Sequence, residues 1–212
     1  EEYLYKVYAS EDFYNEHRVI FEHMDVELVS PQVMKEISDT MTPQGVLALV
    51  KMMKYSLEDL LEQEKPLFLV LENLQDPGNL GTILRMGEGA GVTGVIMSSN
   101  TVDIYNPKTI RSTMGSIFRV PFVYVQDFSD AVSQCQNAGI KVYAAHLDGK
   151  NTYLGEDYRE GTAFLIGNEG NGLTEDITKQ ADTLIRIPMQ GEVESLNAAI
   201  ACTILTYEAV RQ

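Results

Sequence analysis

The sequence predicts an α/β fold with a largely parallel sheet, and three observations support that prediction. Short apolar runs recur along the chain, each with the length and composition of a strand buried on both faces. Helix-like segments lie between most of these runs. Glycine-rich turns follow several of the runs where they end. This alternation is typical of a wound α/β sheet.

The first part of the chain predicts a small α/β unit of its own. YLYKVYAS and GVLALVKM have the composition of strands, while SEDFYNEH and SPQVMKEISD each begin with a serine suited to helix capping. The charged segment EQEKP at residues 62–66 ends in a proline and separates this part from the rest. We therefore expect two domains, residues 1–64 and residues 65–212.

Six apolar runs predict the strands of the second domain. They are PLFLVLEN, GVTGVIMSS, VPFVYVQ, IKVYAAH, TAFLIG and DTLIRIP. Helical stretches are expected at residues 106–115, 127–138 and 195–211, in addition to a helix that begins around Asn79.

Composition disfavours several classes of protein. No apolar run reaches the ~18 residues that a membrane span requires, so a cytoplasmic protein is expected. Cys135 and Cys202 lie far apart and only three histidines are present, so neither a disulfide framework nor a metal site is expected. Neither GxGxxG nor GxxxxGK[ST] occurs, which disfavours a dinucleotide-dependent oxidoreductase and a P-loop enzyme.

The net charge of −15 is unusual for a protein that binds a polyanion. The excess of carboxylates falls in the two outer parts of the chain, with 6 basic and 14 acidic residues before residue 66 and 6 and 13 after residue 122. The stretch between them holds 4 of each and is neutral. Its basic residues are Arg85, Lys108, Arg111 and Arg119.

The segment LENLQDPGNLGTILRMGEGAG, residues 71–91, predicts a ligand site where a strand ends and a helix begins. Ligands of open parallel sheets bind beyond the carboxyl ends of the strands, and Gly78 and Gly81 would allow a close backbone approach. Arg85 lies in the middle of an otherwise apolar helix. A surface ion pair with Glu88 would explain this arginine about as well as a functional role.

Two later segments have the same character. FLIGNEGNGL, residues 164–173, ends a buried strand in a loop with three glycines and Glu169, which suits either a small molecule read by main-chain groups or a tight structural connection. IRIPMQGEVESLNAAIACTILTYEAV, residues 185–210, places Ser195 and Asn197 in the first turn of a helix. Ser195 is also a good candidate for the helix N-cap.

Taken together, the three segments resemble the SpoU/TrmH family of RNA 2′-O-ribose methyltransferases, in the SPOUT class, over residues 66–212. The matching patterns are N-x-G-x-x-x-R from Asn79 to Arg85, G-x-E-G-x-G from Gly167 to Gly172, and I-P-M followed by S-L-N, which ends at Asn197. The resemblance implies a parallel sheet with a C-terminal deep trefoil knot. It also implies a homodimer through the knotted domain, with Arg85 completing the site across the interface.

The reaction that the resemblance implies is methyl transfer from S-adenosylmethionine to a ribose 2′-hydroxyl, in ribosomal RNA more readily than in transfer RNA. Arg85 is the implied base, although a guanidinium is a poor proton acceptor and could chiefly orient the ribose and its phosphate. The implied positioning residues are Asn79, Glu169, Ser195 and Asn197. The implied cofactor contacts are backbone groups near Leu147, Gly167, Ile187, Met189 and Leu196.

The first domain resembles part of the ribosomal-protein-like substrate-binding domain that precedes the knot in many members. A basic segment upstream of residue 1 would explain the affinity for RNA; otherwise a patch around Lys108, Arg111 and Arg119 would have to supply it. A non-catalytic RNA-binding relative is the main alternative. His146, at a strand end, could contact a ligand or be structural.

Overall fold

The computed structural model describes residues 3–212, and the chain divides into two compact units, the second of which runs from Tyr55 to Gln212. The division lies earlier than the expected limit between residues 64 and 65. A short helix, Leu57–Leu61, explains the difference. Its side chains Leu57 and Leu60 are buried in the core of the second unit, so the junction precedes this helix.

The first unit is a three-stranded sheet with two helices. Its elements are β1 (Leu4–Ser10), α1 (Glu11–Glu16), β2 (Val26–Val29), α2 (Pro31–Ile37) and β3 (Val46–Val50). The strand order is β2-β1-β3, with β1 parallel to β2 and antiparallel to β3. Ser10 and Ser30 cap the two helices, each accepting a hydrogen bond from a backbone N–H of the first turn.

The second unit contains a seven-stranded sheet flanked by helices. The helices are α3 (Leu57–Leu61), α4 (Pro77–Ala90), α5 (Pro107–Thr113), α6 (Phe128–Asn137), α7 (Glu175–Gln180) and α8 (Ala198–Arg211). The strands are β4 (Leu67–Leu71), β5 (Gly94–Ser98), β6 (Phe122–Val125), β7 (Lys141–Ala145), β8 (Asn151–Thr152), β9 (Thr162–Ile166) and β10 (Thr183–Arg186). Their order is β6-β5-β4-β9-β7-β10-β8, and the paired strands are parallel. The predicted α/β fold is therefore confirmed.

The central strands are buried along nearly their whole length. Every residue of β5 and of β9 is buried, as is every residue of β4 after Leu67. Helices cover both faces of a parallel sheet, and such strands consequently read as continuous apolar runs. All six predicted strands of this unit form, and the two-residue β8 was not predicted.

The sheet order brings the ends of several strands together. Strand β9 lies between β4 and β7, and β10 pairs with the other side of β7. Because all four are parallel, the loops that follow them lie at one edge of the sheet, where ligands of such folds bind. The trefoil knot stays a prediction. Within residues 3–212, no helix is long and apolar enough to cross a bilayer.

Candidate active site

A cavity of about 800 Å³ lies at the carboxyl ends of β7, β9 and β10. Its volume falls within the range of small-molecule sites. Residues from the loops after these three strands form most of its wall. The five positions expected near the cofactor all line it: Leu147, Gly167, Ile187, Met189 and Leu196.

Two glycines in these loops allow chain segments to touch. A Cβ on Gly167 would overlap the backbone of Gly172 and Leu173, and one on Gly149 would lie 2.8 Å from the carbonyl carbon of Ile185. Asn168 and Gly172 close the loop between them with two backbone hydrogen bonds, of 3.0 and 2.8 Å. These contacts hold the loops after β7 and β9 in compact conformations beside the cavity.

Glu169 ties this loop to the one that follows β4. Its carboxylate accepts hydrogen bonds from the backbone N–H groups of Gln75 and Asp76, at 3.0 and 2.9 Å, and from the side-chain amide of Asn79 at 3.0 Å. Burial acts to raise the pKa of Glu169, but these hydrogen bonds together outweigh it and hold the pKa below its ordinary value. Glu169 therefore acts as an ionised anchor between the first two motif segments.

Asn79 and Asn197 extend the same network to the third segment. The side-chain Nδ2 of Asn197 donates to Oδ1 of Asn79 at 2.9 Å. The Oδ1 of Asn197 accepts from the backbone N–H groups of Ala199 and Ile200, so Asn197 is the N-cap of α8. The interpretation of Ser195 as the cap is wrong, because the helix begins only at Ala198. Ser195 lies exposed in the preceding loop and lines the cavity.

The helix that carries Asn79 begins earlier than the sequence predicted. Helix α4 starts at Pro77, and Asp76 caps it by accepting the backbone N–H of Asn79 at 2.8 Å. That hydrogen bond is the main cause that lowers the pKa of Asp76, with Lys108 contributing through an ion pair of 3.3 Å. Proline at the first helical position after an aspartate is a start signal that the sequence analysis missed.

The two glycines of this segment do not serve a close backbone approach to a ligand in the cavity. Neither Gly78 nor Gly81 lines it. A Cβ on Gly81 would overlap the side chain of Ser112 and lie 2.8 Å from the carbonyl oxygen of Thr109. The missing side chain at residue 81 instead lets α4 and α5 pack against each other in close contact.

Arg85 stands apart from the network. Its side chain is exposed on α4, and the residues that line the cavity do not include it. The alternative ion pair with Glu88 is wrong, because that carboxylate pairs with Arg119 and accepts the hydroxyl of Ser116 at 2.5 Å. The Arg119 guanidinium, followed by the Ser116 hydroxyl, lowers the pKa of Glu88 to about 2. Arg85 is therefore left without a carboxylate partner among the described residues.

Two further polar residues belong to the site. The Oδ1 of Asn168 accepts the backbone N–H groups of Gly170 and Asn171, at 2.9 and 3.0 Å, and its Nδ2 donates to the carbonyl of Asn73. Sequence reasoning missed this residue, although asparagine before a glycine-rich turn is a known turn signal. His146 lines the cavity and accepts the N–H of Asp148 on Nδ1 at 3.2 Å. Residues 3–212 contain no cluster of three or more potential metal ligands.

Comparison with known proteins identifies the class to which this fold and site belong. Residues 66–207 match the SpoU rRNA Methylase family, and residues 2–56 match the family described as RNA 2'-O ribose methyltransferase substrate binding. The chain therefore belongs to the SpoU rRNA methylase family.

Individual relatives agree with this assignment. The chain is 34% identical over 180 residues to the 23S rRNA (guanosine(2553)-2'-O)-methyltransferase RlmP of Bacillus subtilis, which covers 85% of this chain and 70% of that protein. It is 31% identical to the 23S rRNA (guanosine-2'-O-)-methyltransferase RlmB of Xanthomonas campestris, over 89% of this chain and 78% of the relative. The crystal structure of the SpoU methyltransferase AviRb from Streptomyces viridochromogenes, in complex with the cofactor AdoMet, superposes with a TM-score of 0.87 and 30% identity, covering 99% of this chain and 83% of the other.

Proposed function

We propose that this chain transfers the methyl group of S-adenosylmethionine to a ribose 2′-hydroxyl of RNA, with ribosomal RNA as the substrate. One observation carries the proposal. Glu169, Asn79 and Asn197 join all three motif segments in a single hydrogen-bonded network beside a cavity lined by the loops after β7, β9 and β10. Two relatives are named as 23S rRNA 2′-O-methyltransferases, and their names favour ribosomal RNA over transfer RNA as the substrate.

The cavity fits S-adenosylmethionine by its chemistry. Backbone groups near Leu147, Gly167, Ile187, Met189 and Leu196 would hold the cofactor, which supplies a methyl group activated on a sulfonium. Three carboxylates, Asp148, Glu169 and Glu194, line the cavity against one guanidinium, that of Arg186. An acidic lining favours a cofactor that carries a positive sulfonium.

Arg85 acts, in this proposal, on the site of a second copy of the chain. It does not line the cavity of its own protomer, and an exposed cation there is free to reach a neighbour. Helix α8, which packs against α4, leaves Ile200, Tyr207 and Val210 52%, 47% and 50% exposed on one side. The arrangement we propose is a homodimer that buries this apolar side, with Arg85 of one protomer at the cavity of the other.

The role of Arg85 follows from its functional group. A guanidinium offers five N–H donors in a planar fork and no acceptor, which suits it to hold a phosphate and orient the ribose hydroxyl. Alignment of the hydroxyl with the methyl donor then supplies much of the rate. The resemblance also implies a second role, in which Arg85 accepts the hydroxyl proton. Loss of the guanidinium would abolish the orienting role and the proton-accepting role alike.

The remaining residues position the reacting groups. Glu169, Asn79 and Asn197 fix the three loops with respect to one another, and Ser195 lies at the cavity beside the incoming nucleotide. We propose that residues 1–64 form part of the RNA substrate-binding domain, which the match of residues 2–56 supports. Ribosomal RNA as the substrate also favours the predicted cytoplasmic location.

The test combines cofactor binding with methyl transfer. S-adenosylmethionine is titrated calorimetrically into the wild-type chain, Arg85→Ala and the control Arg159→Ala, whose arginine pairs with Asp157 on the surface. Transfer of labelled methyl groups to bulk bacterial ribosomal RNA and, separately, to bulk transfer RNA is then measured. We expect all three proteins to bind the cofactor and only Arg85→Ala to lose transfer. A folded wild-type chain that binds RNA but no cofactor would instead establish the non-catalytic relative.

A further inference from the structure

Most basic side chains of the second unit are neutralised within the protomer. Lys108 pairs with Asp76 and Arg119 with Glu88. Lys65, Lys141, Arg159, Lys179 and Arg211 are also paired. Among the residues that the structure describes, four cations of this unit have no carboxylate within 4.0 Å: Arg85, Arg111, Lys150 and Arg186.

Two of these four cations lie on helices in direct contact. Helices α4 and α5 pack at Gly81, where an added Cβ would overlap Ser112. Arg85 follows Gly81 by one helical turn, and Arg111 immediately precedes Ser112. Both side chains are exposed. The two free guanidinium groups therefore originate from neighbouring turns of one two-helix surface.

The charges that flank this surface cancel. At the start of α4, Asp76 is paired with Lys108 of α5, and near the end of α4 Glu88 is paired with Arg119. Arg85 and Arg111 are consequently the unpaired cations of this surface, and they outnumber the exposed carboxylate of Asp103, in the loop before α5, which has no basic partner within 4.0 Å among the described residues. The net charge of the chain is −15, so a local excess of positive charge is unusual in it. Phosphate groups are the ligands that such guanidinium groups bind well.

We propose that Arg111 binds a backbone phosphate of the substrate RNA, next to the nucleotide that Arg85 orients. This inference rests on the proposed function and adds a residue for substrate binding. Lys108, Arg111 and Arg119 form the patch that the sequence offered as the alternative source of RNA affinity. Of these three residues, Lys108 and Arg119 are paired with carboxylates and Arg111 is not. The RNA strand then crosses α4 and α5 on its way to the partner's cavity.

The experiment measures RNA affinity as a function of salt. Full-length Arg111→Ala, Arg111→Lys and the charge-matched control Arg159→Ala are compared with the wild type for binding to bulk bacterial ribosomal RNA across a series of salt concentrations. Each phosphate contact contributes ~0.7 to the slope of log K against log salt for a single strand. We expect Arg111→Ala to lose about that much slope and several-fold in affinity. Arg111→Lys should recover most of the slope, and Arg159→Ala should match the wild type.

Cofactor titration and methyl transfer on the same proteins separate the possible failures. One outcome is that the wild type methylates RNA while Arg111→Ala has the same slope of log K against log salt as Arg159→Ala. In that case Arg111 contacts only solvent, and this inference is overturned while the proposed function stands. If Arg111→Ala lowers kcat without changing RNA affinity, the residue acts on the reacting groups and phosphate binding is again rejected. If the wild type neither binds the cofactor nor methylates RNA, it is the proposed function that fails.

Discussion

Asn79 and Arg85 lie six residues apart in one motif and on one helix, yet their surroundings are opposite. Both ends of the Asn79 amide are bonded, to Glu169 and to Asn197, and its backbone N–H is bonded to Asp76. The Arg85 guanidinium is exposed and has no carboxylate partner among the described residues. One motif thus combines a residue satisfied within the protomer with one available to another molecule. The first should matter to stability and the second to activity.

Arg85→Ala should produce the largest effect on activity. We expect methyl transfer to fall by about 10²- to 10⁴-fold, the range of a positioned catalytic group. Because the side chain makes no ion pair, the free energy of unfolding should stay within ~0.5 kcal/mol of the wild type. Single-turnover kinetics and urea unfolding measure the two quantities. A variant that loses stability in proportion to activity would place Arg85 with the structural residues.

A mixture of two inactive variants tests whether Arg85 works across a dimer. Arg85→Ala and Glu169→Ala protomers, unfolded and refolded together, form mixed dimers in which one of the two sites has an intact Glu169 and receives an intact Arg85. About a quarter of wild-type transfer should return, because half of the dimers are mixed and each has one complete site. No recovery, with mixed dimers present by mass spectrometry, would place Arg85 in its own protomer's site.

Glu169→Ala should affect stability as well as activity. Two backbone N–H groups and the Asn79 amide lose their acceptor, and since the site is partly open to water we expect a loss of about 1–2 kcal/mol in urea unfolding. Weaker cofactor binding should accompany it, because Glu169 lines the cavity. A stability equal to that of the wild type would show that water replaces the carboxylate without cost.

The same carboxylate gives stability a pH dependence of known sign. The pKa of Glu169 is lower in the folded protein than its ordinary value, so its contribution is present above the ordinary pKa and is lost as pH falls through the folded one. Glu169→Gln should remove this contribution. The difference in unfolding free energy between wild type and variant should therefore shrink as the solution is acidified. If this difference in unfolding free energy did not change with pH, the anchoring would depend on the shape of the Glu169 side chain and not on its charge.

The sequence predicted the fold and the family well because both depend on local patterns. Apolar runs located every long strand, and the SpoU assignment is confirmed by the family match. The features that the sequence did not predict depend on contacts between segments that are distant along the chain. Only the approach of α5 explains why residue 81 is glycine, and only the packing of Leu57 and Leu60 assigns α3 to the second unit.

The side-chain roles were harder to predict for the same reason. Serine is a favoured capping residue, but the backbone turns into the helix two positions later, and Asn197 takes the cap. Glu88 is well spaced to pair with Arg85, yet its carboxylate pairs with Arg119, which lies 31 residues further along the chain. Helical spacing identifies which partners are possible; the fold decides among them.

Substitutions at Asn197 give the smallest effects and separate its two roles. Asn197→Ala loses the cap and the bond to Asn79, and should cost ~1 kcal/mol in stability. Asn197→Ser keeps a capping oxygen and should cost only a few tenths. Both lose the donor to Asn79, so their methyl transfer should fall by the same small factor.

Asn197→Asp sharpens this comparison. It retains the cap but presents an oxygen to Oδ1 of Asn79, whose Nδ2 is already committed to Glu169. We therefore expect a stable protein whose transfer is lower than that of Asn197→Ser, because repulsion displaces the first motif loop from the third segment. Equal activity in the two variants would mean that the Asn197–Asn79 bond does not align the loops, and that Asn197 belongs to α8 alone.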